Sequence, residues 1–245
     1  DEMTVQGMEK RLAIWRSICV PSTSSGVARV AAAAEPLSPL DLAGELFSFE
    51  ITDYKSQSAQ LLPLIQAHFQ KVGLKSTECV AIAVDIGPGG FTSLRTACGV
   101  AQGLAVAWKV PTVPLSSFEC MLPLPLPTRP VTVLMDARLN EIYAATLERL
   151  PCGTQWVQPP HLLPISILQT LEGEVVCDSQ LFAQITLASD SVKQGEVSAV
   201  RLGQLAWQEF AAGRVAGAID CQPLYVRDKV AQTTTERLAL KHGVI

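Results

Sequence analysis

The spacing of apolar positions changes several times along the chain. Residues 18–34, ICVPSTSSGVARVAAAA, read as two short strands around a Ser/Thr/Gly turn. Residues 45–51, ELFSFEI, alternate polar and apolar side chains and predict a third strand. The pattern then becomes helical, with Tyr54, Leu61, Leu62, Ile65, Phe69 and Val72 on one broad face and Gly73 as a C-cap. Pro63 is expected in the first turn of this helix, where a missing amide costs little. The apolar face is wide enough for either core packing or docking. Residues 80–86, VAIAVDI, form the continuous apolar run of a strand buried on both faces. A glycine-rich turn follows, and then Phe91, Leu94, Ala97, Cys98, Ala101, Leu104, Ala105 and Trp108 recur at helical spacing. Gly99 and Gly103 lie inside that helix at a cost of roughly 1 kcal/mol each relative to alanine, which close approach of another element would offset.

Further along, VPTVPLSS predicts a short strand and a serine turn, and the four prolines of residues 120–130 rule out a regular helix to the end of that stretch. We place a domain boundary there, dividing the chain into residues 1–118 and 119–245. The second part reads as a β-hairpin turning near residues 138–140, a buried strand at GEVVCD, and an amphipathic helix through Val200, Leu205, Trp207 and Phe210 that ends near Gly213. The polar terminal segment is free to pack back on the first part. Strands alternating with helices give an α/β class.

Composition narrows the picture. The chain has 245 residues, 48% hydrophobic and 17% charged, enough to bury a sizeable core. The net charge of −4, with scattered Lys and Arg, shows no basic stripe for gripping nucleic acid unaided. Seven cysteines without a CxxC predict reduced core thiols and a cytoplasmic setting. No apolar run is long enough to suggest a membrane span.

The chemistry centres on the loop Gly87-Pro88-Gly89-Gly90-Phe91-Thr92-Ser93. Glycines let a backbone approach a ligand, and the following helix offers free amides to an anion. Thr92 or Ser93 is positioned to cap that helix. A triphosphate loop requires a lysine that is missing, and a dinucleotide fingerprint requires a glycine where Thr92 stands. Gly87, Gly89, Gly90, Thr92 and Ser93 are therefore either phosphate contacts or a structural turn. Asp136, Arg138 and Glu141 form a charged cluster at the hairpin, either a salt-bridged turn or a contact surface. The three histidines, His68, His161 and His242, have no paired spacing, and neither a zinc pattern nor a nucleophile elbow occurs. No catalytic or metal-ligating set emerges.

Four segments in order carry a resemblance. DIGPGGFTSLRTACGVAQGLAVAWKVPTVPLSSFECM is similar to GPGSFTGLRIG…KGLA…PVVGVSSLEAL of the TsaB (YeaZ) family. SAQLLPLIQ resembles that family's first-helix motif, MDARLNEIYAA its DARMGEVY segment, and PLYVRDKVA its P-x-YLR segment. The resemblance runs from about residue 18 to 235. It implies a reduced, two-lobed actin/Hsp70/sugar-kinase-like (ribonuclease H-like) fold. It also implies a non-catalytic partner of the paralogous TsaD, which threonylcarbamoylates tRNA adenosine next to the anticodon. TsaB and TsaD form a heterodimer, the ATPase TsaE joins them, and TsaB pairs with itself when alone. Such a chain has no cofactor of its own, ATP or ADP at the TsaD interface being an open alternative, and meets tRNA only through the complex.

Within the resemblance, Leu61, Leu62 and Ile65 of the first helix and Ala97, Ala101 and Leu104 of the second are the expected partner interface, with Gly99 and Gly103 on a small-residue face. Gln57 and Ser58 stand where a TsaD-type chain would place its metal-binding histidine pair. One departure is Pro21, in the place of the acidic residue of the family's LAIDTS strand; proline can neither ligate a metal nor donate an amide. Two other readings remain: a nucleotide-dependent enzyme of the same fold, with Asp85 and Asp136 as its acidic groups, and a peptidase.

Overall fold

The computed structural model describes residues 17–18, 28–33, 46–51, 57–71, 75–123, 129–150, 153–185, 192–197 and 199–227. Pro21, Tyr54, Val72, Gly73 and His242, and the side chains of Gln57, Ser58, His68 and Val200, lie outside the described residues. The elements are β1 (Ser17–Ile18), β2 (Ala28–Ala33), β3 (Leu46–Ile51), α1 (Gln57–Lys71), β4 (Ile82–Asp85), α2 (Phe91–Trp108), β5 (Thr112–Leu115) and α3 (Ser117–Met121). They continue as β6 (Val131–Arg138), β7 (Glu141–Leu150), β8 (Gly153–Pro164), β9 (Val175–Cys177), α4 (Ser179–Phe182), β10 (Val192–Gln194) and α5 (Ala199–Ala211).

One parallel sheet runs β1-β4-β5, a mixed sheet runs β10-β9-β6-β7-β8, and β2 pairs with β3. The strand period of two sorts the core. On β4, Ile82 and Val84 join Leu61, Ile65 and Phe69 of α1 and Ala97, Cys98, Ala101 and Ala105 of α2. From the opposite face, Ala83 joins Val113 and Leu115 of β5 and Leu202, Leu205 and Ala206 of α5. Val131, Val133 and Met135 of β6 enter that same cluster from the second sheet. Leu134 points the other way, to Ile142, Val175 and Leu181. Helix α5 therefore lies between the two sheets, with α1 and α2 covering the outside of the first.

Three expectations change. Pro63 is the seventh residue of α1, past the first turn. Proline here leaves the Ala59 carbonyl without its helical donor, and both residues are exposed, so water can satisfy it. β8 was not expected, because its sequence carries Pro159, Pro160 and Pro164. It is an edge strand, where missing amides are tolerated, and its register against β7 shifts between Thr146↔Gln158 and Ala144↔His161, so the proline pair falls in a bulge. α3 continues through Cys120 and Met121, before the proline run begins.

Candidate functional site

The glycine turn joins β4 to α2, and its anchor is Asp85. This side chain is fully buried. Its carboxylate accepts the Gly87 amide at 2.8 Å and the Ser117 hydroxyl at 2.8 and 2.9 Å. The Ser117 hydroxyl also lies 3.1 Å from the Pro88 carbonyl, and the Ser117 amide donates to Gly87 O at 2.8 Å. The loop is thus fixed from below by α3, and Asp85 is spent on backbone geometry.

Gly87 has φ +103°, and a Cβ there would sit 2.7 Å from Leu94 Cδ1. The positive φ demands glycine, and a side chain would also push Leu94 aside. We expect Gly87→Ala to lower stability by about 1–3 kcal/mol, read as a shift in the denaturation midpoint. Gly90 is the N-cap of α2, with φ −61° and no side-chain cap. Thr92 and Ser93 therefore sit inside the first turn and do not cap it. Thr96 Oγ1 donates back to the Thr92 carbonyl at 3.0 Å.

Opposite the loop stands the β6–β7 hairpin. Arg138, Leu139 and Asn140 all have positive φ, the left-handed conformation of a tight hairpin turn. The Asp136 carboxylate accepts the Arg138 amide at 3.0 Å, and the Asp136 amide donates to Asp178 Oδ2 at 2.7 Å. Burial raises the Asp178 carboxyl above its usual range, while amides of Leu181 and Asp136 pull it back. Glu141 is paired with Arg227 rather than Arg138. The charged cluster is thus a capped turn whose glutamate reaches out to a distant segment.

That segment, residues 216–227, is a strap. Ala216 pairs with Thr112 at the edge of β5, Leu224 N donates to Ile86 O at 2.8 Å, and Gln102 Nε2 donates to Cys221 O at 2.8 Å. Arg95 Nε donates to Tyr225 Oη at 2.8 Å, and its guanidinium lies 4.0 Å from the Phe91 ring centre. Arg227 Nη2 donates to the Ala137 carbonyl at 2.9 Å and to Glu141. Sequence reasoning missed Arg95, Tyr143, Tyr225 and Arg227 as site residues. The signal was present in the PLYVR and SLR segments, whose partners are remote in sequence.

Loop, hairpin and strap enclose an open cavity of about 360 Å³. Gly89, Gly90 and Phe91 line one side, Asp136, Arg138 and Tyr143 the other, and the strap residues close it. It combines aromatic walls, guanidinium groups and a helix start without a side-chain cap, which suits a small ligand with an apolar body and a polar tip. Among the described residues, no group of three or more His, Cys, Asp or Glu side chains could hold a metal ion. His161 lies on β8 with Nδ1 2.9 Å from the Pro159 carbonyl oxygen.

The expected interface residues divide. Leu61, Ile65, Ala97 and Ala101 are core residues, Leu104 is half-buried, and Leu62 is 47% exposed. The four small residues of α2 form two stripes, because Gly99 is about 200° around the helix from Ala97. Ala97 and Ala101 face inward, whereas Gly99 and Gly103 are exposed with nothing within 4 Å of an added Cβ. Val106, on the glycine side, is 69% exposed.

Proteins of known name are similar to this chain in sequence or in fold. The family profile described as "TsaD: tRNA N6-adenosine threonylcarbamoyltransferase" matches residues 53–168. The tRNA threonylcarbamoyladenosine biosynthesis protein TsaB of Escherichia coli K12 is 29% identical over 193 residues, covering 72% of this chain and 83% of that protein. Its Haemophilus influenzae namesake is 24% identical over 196 residues, covering 72% and 82%. The solved structure of YeaZ from Pseudomonas aeruginosa superposes with a TM-score of 0.67 at 20% identity, over 87% of this chain and all of that one. A second Pseudomonas aeruginosa structure, described as similar to peptidase YEAZ, matches equally well, with a TM-score of 0.67.

Fold and site define an α/β protein of the reduced, two-lobed actin-like class. Within that class, the chain is similar in sequence to proteins named TsaB and in fold to YeaZ. Among the described residues no helix is long and apolar enough to cross a membrane.

Proposed function

We propose that this chain is the accessory subunit of tRNA threonylcarbamoyladenosine synthesis, a TsaB-type partner of a TsaD-type transferase in the cytoplasm. The observation that carries the reading is the 29% identity with the Escherichia coli TsaB over 193 residues. In this reading the chain performs no chemistry. It forms a heterodimer with TsaD, accepts TsaE, pairs with itself when alone, and meets tRNA only within the assembly. A nucleotide contact falls to Gly89, Gly90 and the first turn of α2, beside TsaD. Reconstitution tests it: TsaD, TsaE, the threonylcarbamoyl donor and tRNA are combined with and without this chain. Modification should require the chain; undiminished modification without it would sink the proposal.

The exposed faces of α1 and α2 support a partner role. Among the described residues, an added Cβ at Gly99 or Gly103 would meet nothing within 4 Å, so no described neighbour offsets their propensity cost. We expect Gly99→Ala and Gly103→Ala each to stabilise the isolated chain by about 0.5–1 kcal/mol. A larger change on the same face, Gly103→Trp combined with Leu62→Glu, should abolish co-purification with TsaD while leaving the melting temperature near wild type. Leu61 and Ala101, at 2% and 0% exposure, are unsuitable for that test, because a charge there would unfold the chain. The enzyme reading is disfavoured by the enclosure of Asp85, whose oxygens already accept the Gly87 amide and the Ser117 hydroxyl.

A further inference from the structure

Two thiols that the site does not use meet inside the protein. Cys98 lies on α2 and Cys221 lies in the strap, and both are buried and reduced. Gln102, one helical turn beyond Cys98, holds the Cys221 carbonyl at 2.8 Å, which fixes the strap backbone over the face that carries Cys98. The two thiols lie close enough that each shifts the other's ionisation. Both belong to the core cluster between β4, α1 and α2. Beyond Cys221, Leu224, Tyr225, Val226 and Arg227 wall the cavity.

We propose that Cys98 and Cys221 form an oxidation site that a hydroperoxide converts to a disulfide, latching the strap to α2. The two sulfurs are unequal. The nearby Cys98 thiol, helped by the Thr112 hydroxyl and opposed by burial, lowers the Cys221 thiol below its usual range. The same proximity, reinforced by burial and by the negative charges of Cys221 and Asp85, raises Cys98. Cys221 is therefore the attacking sulfur. Its thiolate attacks one oxygen of hydrogen peroxide, the O–O bond breaks, and hydroxide leaves, giving a sulfenic acid. Cys98 gives its proton to that hydroxide and attacks the Cys221 sulfur, expelling a second hydroxide. The proton released when Cys221 first ionised neutralises it. Two thiols and one peroxide become one disulfide and two waters, with two electrons passing from sulfur to oxygen. Hydrogen peroxide is small, and the neighbouring Gln222 is exposed, so the approach is short.

The test uses the full chain treated with hydrogen peroxide under native conditions, followed by peptide mapping without reductant. A Cys98–Cys221 linked peptide lacking two hydrogens should dominate, and should vanish in Cys98→Ser and in Cys221→Ser. Oxidation should raise the melting temperature by on the order of 10 °C, because the bond closes a long loop, and reductant should reverse this. Absence of the link in folded wild-type protein would overturn the proposal, with no variant needed. So would a link that forms only after denaturation, no faster than pairings involving Cys79, Cys120 or Cys177. A link that lowers the melting temperature would overturn the latch, because the native fold would then oppose the bond.

Discussion

Asp85→Ala is expected to leave little folded protein. The wild-type carboxylate is wholly enclosed and holds the Gly87 amide and the Ser117 hydroxyl at 2.8 Å. Removing it forfeits hydrogen bonds to a charged acceptor, worth about 1.5–3 kcal/mol each, and strands the buried Gly87 amide, while the Ser117 hydroxyl keeps the Pro88 carbonyl within 3.1 Å. A small void adds to the loss. A total of about 4–5 kcal/mol is comparable to the whole stability of many domains. Soluble yield and the denaturant midpoint report it. Asp85→Asn keeps the shape and one acceptor oxygen, so its loss should be only about 1–2 kcal/mol. An alanine variant with a wild-type midpoint would show that the loop is anchored by something else. ATP turnover by the lone chain, lost in a fully stable Asp85→Asn, would restore the enzyme reading.

This anchor illustrates which parts of the molecule were legible in sequence. VAIAVDI announced a strand buried on both faces, and residues 82–85 are all buried. The hairpin turn was placed at residues 138–140, where the backbone takes positive φ. These features are local, set by side-chain period and turn chemistry. β8 was illegible because its prolines argue against a strand, and only its place at a sheet edge makes them tolerable. β10, with three residues, is too short to leave a periodic trace. In the candidate site the loop and the hairpin were found, whereas the strap was expected only as a terminal segment packing back on the first part, without its contacts to the site. Arg95 and Tyr225 are 130 positions apart, and Arg227 reaches Glu141 across 86. Such pairs have no spacing signature in a single chain. The same limit explains the small residues of α2, where composition suggested one face and the 3.6-residue period divides it into two.

The strap also yields the second large effect, Arg227→Ala. Arg227 is the only described residue that ties the strap to the hairpin by an ion pair. Its side chain is 15% exposed and that of Glu141 41%, so solvent screens the pair and its share should be discounted to about 1 kcal/mol. The bond to the Ala137 carbonyl at 2.9 Å adds about 1 kcal/mol, and loss of the guanidinium's place over the Tyr143 ring, 6.0 Å from its centre, adds to it. A loss of about 2 kcal/mol should lower the melting temperature by roughly 4–8 °C. Arg227→Lys retains the charge but not the forked geometry, and should recover only part of the loss. Glu141→Gln alone should cost less than Arg227→Ala, and the double variant should cost less than the two losses added together, because they share one interaction. Strict additivity would mean that the ion pair contributes nothing and that the Ala137 carbonyl is what holds Arg227 to the hairpin. The variant should also open the cavity wall, so Cys221 in Arg227→Ala should react faster with a thiol label than in wild type. An unchanged labelling rate would show that the strap behaves as two independent halves, one fixed by α2 and one by the hairpin.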